Sequence, residues 1–239
     1  MRLLRALVPI QKSLFDAENT LKDVKCQLLL VCPLWLQIYV LIVNSPVEYY
    51  CFYYRKDLIT YDFLLIFPQL FTKFRYEILY ELCKVGALHD LIKLQTHFEW
   101  SQDDVRKRNN ALFSCVCQEG RLAVAKWLFT TFQLTATDVR WFDNYAFRIA
   151  CYRGRLDTAK WLYTTFHLTI DDVRWCNDYV FKVACQHGHL NTAKWLYSVC
   201  QLTINDVKSI NDAFTWARDY GQRDVCNWLV ATFGDAVIA

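Results

Sequence analysis

From Tyr76 to the C-terminus, apolar and polar positions recur in one order with a period of 34 residues. Residues 144–177 and 178–211 match at 18 of 34 positions without a gap. Within each unit, apolar residues fall at helical spacing, as at Phe147, Ala150 and Cys151, which predicts an amphipathic first helix. A glycine follows, and Gly86, Gly120, Gly154, Gly188 and Gly221 stand 34, 34, 34 and 33 residues apart. Glycine there predicts a helix stop in the left-handed conformation. A second helix then carries Ala-Lys-Trp-Leu at 125–128, 159–162 and 193–196. Aligned on the glycines, five units emerge: 77–109, 110–143, 144–177, 178–211 and 212–235.

The joints are patterned as well. Asn110, Asn144, Asp178 and Asp212 stand where a first helix would begin and are expected as N-caps. Ser101, Thr135, Thr169 and Thr203 each have an aspartate three residues on, at Asp104, Asp138, Asp172 and Asp206. That is capping-box spacing with Asp in place of Glu or Gln, and it predicts one short helical turn in every linker. A repeat of this length buries its apolar face only against its neighbours, so the units should stack. Trp127, Trp161, Trp195 and Trp228 then form a ladder, with the first three expected in the core. Cys83, Cys117, Cys151 and Cys185 form another, as small buried residues where helices press together.

Residues 1–75 lack this order, and all four prolines (Pro9, Pro33, Pro46 and Pro68) fall there. Residues 26–43 run 18 positions without a charge, the minimum length for a membrane-spanning helix. Pro33 would break such a helix, and packed helix broken near Pro33 is the expectation.

Composition adds three constraints. The apolar fraction of 54% supplies a large core. Residues 101–235 balance 16 Lys/Arg against 14 Asp/Glu, which argues against an electrostatic nucleic-acid surface. The eleven cysteines are odd in number and no secretory signal precedes them, since Asp16 and Glu18 interrupt any apolar run behind Arg2 and Arg5. Free thiols in a reducing, cytoplasmic setting are the expectation.

The repeat resembles the ankyrin repeat over residues 76–234. The family's threonine–proline–leucine–histidine–x–alanine motif corresponds to residues 145–150 (YAFRIA) and 179–184 (YVFKVA). Its glycine–histidine–leucine matches Gly188, His189 and Leu190, and its second-helix core matches the Ala-Lys-Trp-Leu block. The array looks like those encoded in large numbers by giant DNA viruses. Two departures stand out: the threonine–proline pair is absent, and so is the linker glycine that lets an ankyrin β-hairpin finger turn. A helical turn is expected in place of the finger. A second resemblance touches Pro9, Phe15, Asp23, Leu30, Val31, Cys32 and Trp35, whose spacing is similar to that of an F-box, without its leucine–proline–acidic opening.

These features imply an all-α chain: an ankyrin-like α-solenoid of about five helix-pair repeats behind a helical N-terminal region. The implied function is a protein–protein interaction scaffold, monomeric and without nucleic acid, and an F-box-like N-terminus would make it a ubiquitin-ligase substrate adaptor. The alternative is a membrane-anchored scaffold with residues 26–43 in the bilayer. No cofactor and no enzymatic activity are expected. The glycines are consumed by the architecture, and no nucleophile stands in a recognised context. Cys185, His187 and His189 sit too close together at a helix end to converge on one tetrahedral metal.

Positions matching the variable concave surface of ankyrin proteins are the expected partner-binding residues. They are Arg140, Trp141, Phe142, Arg174 and Trp175 in the linkers, with Tyr152, Arg153, Lys182, Gln186 and His187 on the first helices. Exposed Trp and Arg are the residues in which interface hot spots are enriched. Lys126 and Lys160 are expected to face outward from the second helices.

Overall fold

A computed structural model describes residues 68–203 and 206–234; the F-box-like, cap and anchor readings of the N-terminal region lie outside them. A compact unit begins at Lys73. The described residues are helical, with no strand among them, and no helix there is long and apolar enough to cross a membrane.

Five helix pairs follow one another. They are α1 (Pro68–Val85) with α2 (Leu88–Phe98), α3 (Gln102–Gln118) with α4 (Leu122–Thr131), and then, after the single turn α5 (Ala136–Val139), α6 (Trp141–Tyr152) with α7 (Leu156–Thr165). The turn α8 (Ile170–Val173) leads to α9 (Trp175–Gln186) with α10 (Leu190–Cys200), and α11 (Val207–Asp219) pairs with α12 (Arg223–Phe233). First helices pack in sequence order, α3 on α6, α6 on α9 and α9 on α11.

The glycine between the helices of a pair fixes the register of this stack. Gly154 has φ +67°, and Arg155 N–H reaches back to Ala150 C=O at 2.8 Å, a Schellman closure. A side chain there would also collide with the His189 ring of the next unit. That ring lies over the glycine and donates from Nε2 to Tyr152 C=O at 3.0 Å. Arg121 and Arg155 do the same two units and one unit earlier, donating to Lys84 C=O at 3.0 Å and Gln118 C=O at 3.2 Å. The residue after each of these glycines thus satisfies an end carbonyl of the preceding first helix.

The linker turns take the predicted form. Ser101 with Asp104, Thr135 with Asp138, and Thr169 with Asp172 make reciprocal capping boxes. Linker aspartates also hold the stack together. Arg106 makes a two-pronged contact to Asp138 at 2.8 and 2.8 Å, and Arg174 reaches Asp206 at 2.5 Å.

Burial raises the Asp104 carboxyl. Lys107, the Ser101 backbone N–H and Arg75 outweigh that and hold it at about 2; Asp138 is lowered by Arg106 and Thr135 against the same burial. A depressed folded-state value contributes stability that is present above about pH 4 and lost as the pH falls through it. The urea midpoint should therefore fall between about pH 5 and pH 2. Asp138→Ala removes the bonds to Arg106 and Thr135 N–H, should cost about 1 kcal/mol or more and should flatten that acid limb, as urea titrations at a series of pH values would show.

Two expectations change. Asn110, Asn144 and Asp178 are not N-caps. Each ends a run of left-handed residues, 108–110, 142–144 and 176–178, with φ between +50° and +61°. Asn and Asp tolerate that region better than other non-glycine residues, and their side chains turn elsewhere. Asn110 Nδ2 donates to Asp138 C=O at 3.0 Å, and Asp178 accepts from Arg174. Asp212 accepts from Lys182 at 3.2 Å.

The tryptophan ladder is half-buried rather than buried. Each ring lies in the seam between units: Trp161 stands 6.3 Å from Phe113, 6.1 Å from Phe129 and 5.7 Å from Phe166. Trp195 repeats this with Phe147 and Tyr163, and Trp228 with Phe181 and Tyr197. The cysteine ladder is wholly buried, with Cys83, Cys117, Cys151 and Cys185 all free thiols at 0% exposure.

Candidate protein-interaction surface

The left-handed turn that opens α6 determines what the third unit presents to solvent. Its last residue, Asn144, is buried, and Nδ2 donates to Asp172 Oδ1 at 2.9 Å, pinning the turn to the next linker. Asp172 is itself held below the ordinary carboxylate value: burial raises it, but the Thr169 N–H and hydroxyl, Asn144 and Arg140 outweigh that. With the turn fixed at its base, Trp141, just before it, and Phe142, its first residue, project outward. Trp141 is 42% exposed and Phe142 62% exposed, their rings 5.4 Å apart. Tyr145 adds a third exposed ring, 6.3 Å from Phe142. The Arg148 guanidinium lies 5.7 Å over Phe142 and 5.9 Å over Tyr145, and donates to Phe142 C=O at 2.8 Å. Three aromatic rings and a cation thus form one surface cluster on a pinned turn.

The flanking arginines face a different task. Arg140 donates to Phe166 C=O at 3.0 Å and His167 C=O at 3.1 Å, and lies 3.7 Å from Asp172. Arg174 is shared between Asp178 and Asp206. Both are stitches between linkers, with only part of each side chain open to solvent. Lys182 is buried, paired with Asp212 at 3.2 Å and lying 5.6 Å over Trp216. The Trp175 side chain lies outside the described residues.

A second cluster forms at the other end of the first helices. Tyr152 and His187 pack with tilted rings whose centres are 4.5 Å apart, His187 lies 6.1 Å from the exposed Tyr220, and the Arg153 guanidinium stands 5.5 Å over Tyr152. Gln186 is half-buried beside them. Cys185, His187 and His189 do not converge, since Cys185 is in the core, His187 packs at a tilt against Tyr152 and His189 bonds its carbonyl.

Sequence reasoning missed Tyr145, Arg148, Tyr179, Trp216 and Tyr220. A signal existed for two of them: Tyr145 and Tyr179 fill, in successive units, the position where the ankyrin motif has threonine. Tyr179 is 40% exposed, against Trp216 at 6.4 Å. No family model, curated protein or solved structure matches the chain.

Proposed function

We propose that this chain is a protein-binding scaffold, an ankyrin-like α-solenoid of five helix-pair repeats that engages a partner protein with the face formed by its first helices and linker turns. The observation that carries this reading is the cluster of Trp141, Phe142, Tyr145 and Arg148. Large aromatic rings left in solvent on a rigid turn supply buried area at little entropic cost when a partner covers them. The reading assigns no chemistry to the chain and no cofactor.

Hydrogen–deuterium exchange tests it. The full chain would be used to retain a protein from cell lysate, and the complex compared with the free chain. Slowed exchange is expected in residues 141–153 and 175–187, with α4, α7 and α10 unchanged. Protection on those second helices instead would assign binding to the opposite face.

A further inference from the structure

The two ends of the first helices differ in chemistry. The N-terminal ends carry the rings of Trp141, Phe142, Tyr145 and Tyr179. At the C-terminal ends, beside the glycine turns, stand Arg153 and, reaching back from the N-caps of second helices, Arg121 and Arg155, with Tyr152 and His187 among them. All three arginines are exposed. Among the described residues neither Arg121 nor Arg153 forms an ion pair, and Arg155 has only Glu119, at 4.0 Å. The packing against Gly86 and Gly120, and the bonds from Nε to Lys84 and Gln118 C=O, account for the stems of Arg121 and Arg155. The negative end of a helix dipole also favours cations there. Arg153, the C-cap of α6, stands at that negative end, and its described side-chain contact is the Tyr152 ring. His189 is lowered, first by burial and further by His187, Arg155 and Arg153, against the bond to Tyr152 C=O that raises it.

Residues 145 and 153 are eight positions apart on one helix, or about 12 Å along its axis. The aromatic row and the basic row therefore run side by side along the stack, with one helix length between them.

Resting on the protein-binding reading, we infer that the partner is an acidic, amphipathic segment. Its apolar side chains cover Trp141, Phe142 and Tyr145 while its carboxylates, one helix length further on, pair with Arg153 and the exposed guanidinium groups of Arg121 and Arg155. Charge-assisted pairs from Arg to carboxylate supply the geometric register, and the aromatic row supplies the buried area.

A phage-displayed random peptide library panned against the immobilised full chain tests this. The selected pool should combine Asp or Glu with aromatic or aliphatic residues. A synthetic peptide from that pool should lose about tenfold in affinity at Arg153→Glu and bind less well as salt rises. It should be unaffected by Lys160→Glu, and Arg153→Gln should fall between wild type and Arg153→Glu. Melting curves of the variants should coincide, since Arg153 is exposed. A pool without acidic enrichment, or full binding by Arg153→Glu, would overturn the acidic partner and leave the scaffold reading standing. Acidic peptides that bind through Arg153 yet ignore Trp141→Ala with Phe142→Ala would overturn the two-row arrangement. A library that yields no binder at all would count against both readings.

Discussion

Trp161→Ala should destabilise the array by about 2–4 kcal/mol, somewhat below the usual cost of truncating a fully buried tryptophan because one edge of the ring is open to solvent. The ring is the contact between units, standing 6.3 Å from Phe113 and 6.1 Å from Phe129 of the preceding unit and 5.7 Å from Phe166 of its own. Aromatic pairs of this kind contribute roughly 0.5–1.5 kcal/mol each beyond the area they bury. Their loss leaves a gap that the flanking helices can close only in part. Because each unit is stabilised by its neighbours, the deficit should appear in global unfolding by urea. Phe113→Ala combined with Trp161→Ala should give a coupling above about 0.5 kcal/mol in a double-mutant cycle. A single-variant loss under about 1 kcal/mol would show that the seam carries little packing energy.

The parts of this architecture that follow from local chemistry could be read directly from the residues. The 34-residue period, the glycine stops and the capping-box turns all depend on contacts within a few positions, and Thr135 with Asp138 forms its box as its spacing requires. What escaped depends on the stack. Asn144 satisfies the preference for an N-cap and the preference for a left-handed residue equally well, so its identity could not distinguish the two; the structure takes the second. Arg140 and Arg174 looked like free surface cations because their partners lie in the following linker, as Arg174 with Asp206 shows at a separation of 32 residues. The tryptophans were expected in the core because their spacing is structural, and they are structural. How far a seam residue is buried depends on how closely neighbouring second helices approach, which periodicity does not encode. Trp141 is the converse case: it was expected at the surface, and beside the left-handed turn 142–144 it is 42% exposed.

That outward cluster carries the central claim, and a double variant tests it most directly. Trp141→Ala with Phe142→Ala removes two rings that are 42% and 62% exposed and whose described partners are each other, Tyr145 and Arg148. Both rings are exposed and neither belongs to the buried core, so the melting temperature should stay within a degree or two, as for surface substitutions that cost less than ~0.5 kcal/mol. Affinity for a bound partner should nonetheless fall by more than about 2 kcal/mol, the scale of an aromatic hot spot. Lys126→Ala with Lys160→Ala, both exposed on second helices, should leave affinity unchanged. The deciding measurement is calorimetric titration of the partner into the wild-type chain and these two variants, alongside their melting curves. The account predicts that the aromatic pair loses binding at constant stability while the lysine pair keeps both. Unfolding caused by the aromatic pair, or binding abolished by the lysine pair alone, would contradict it.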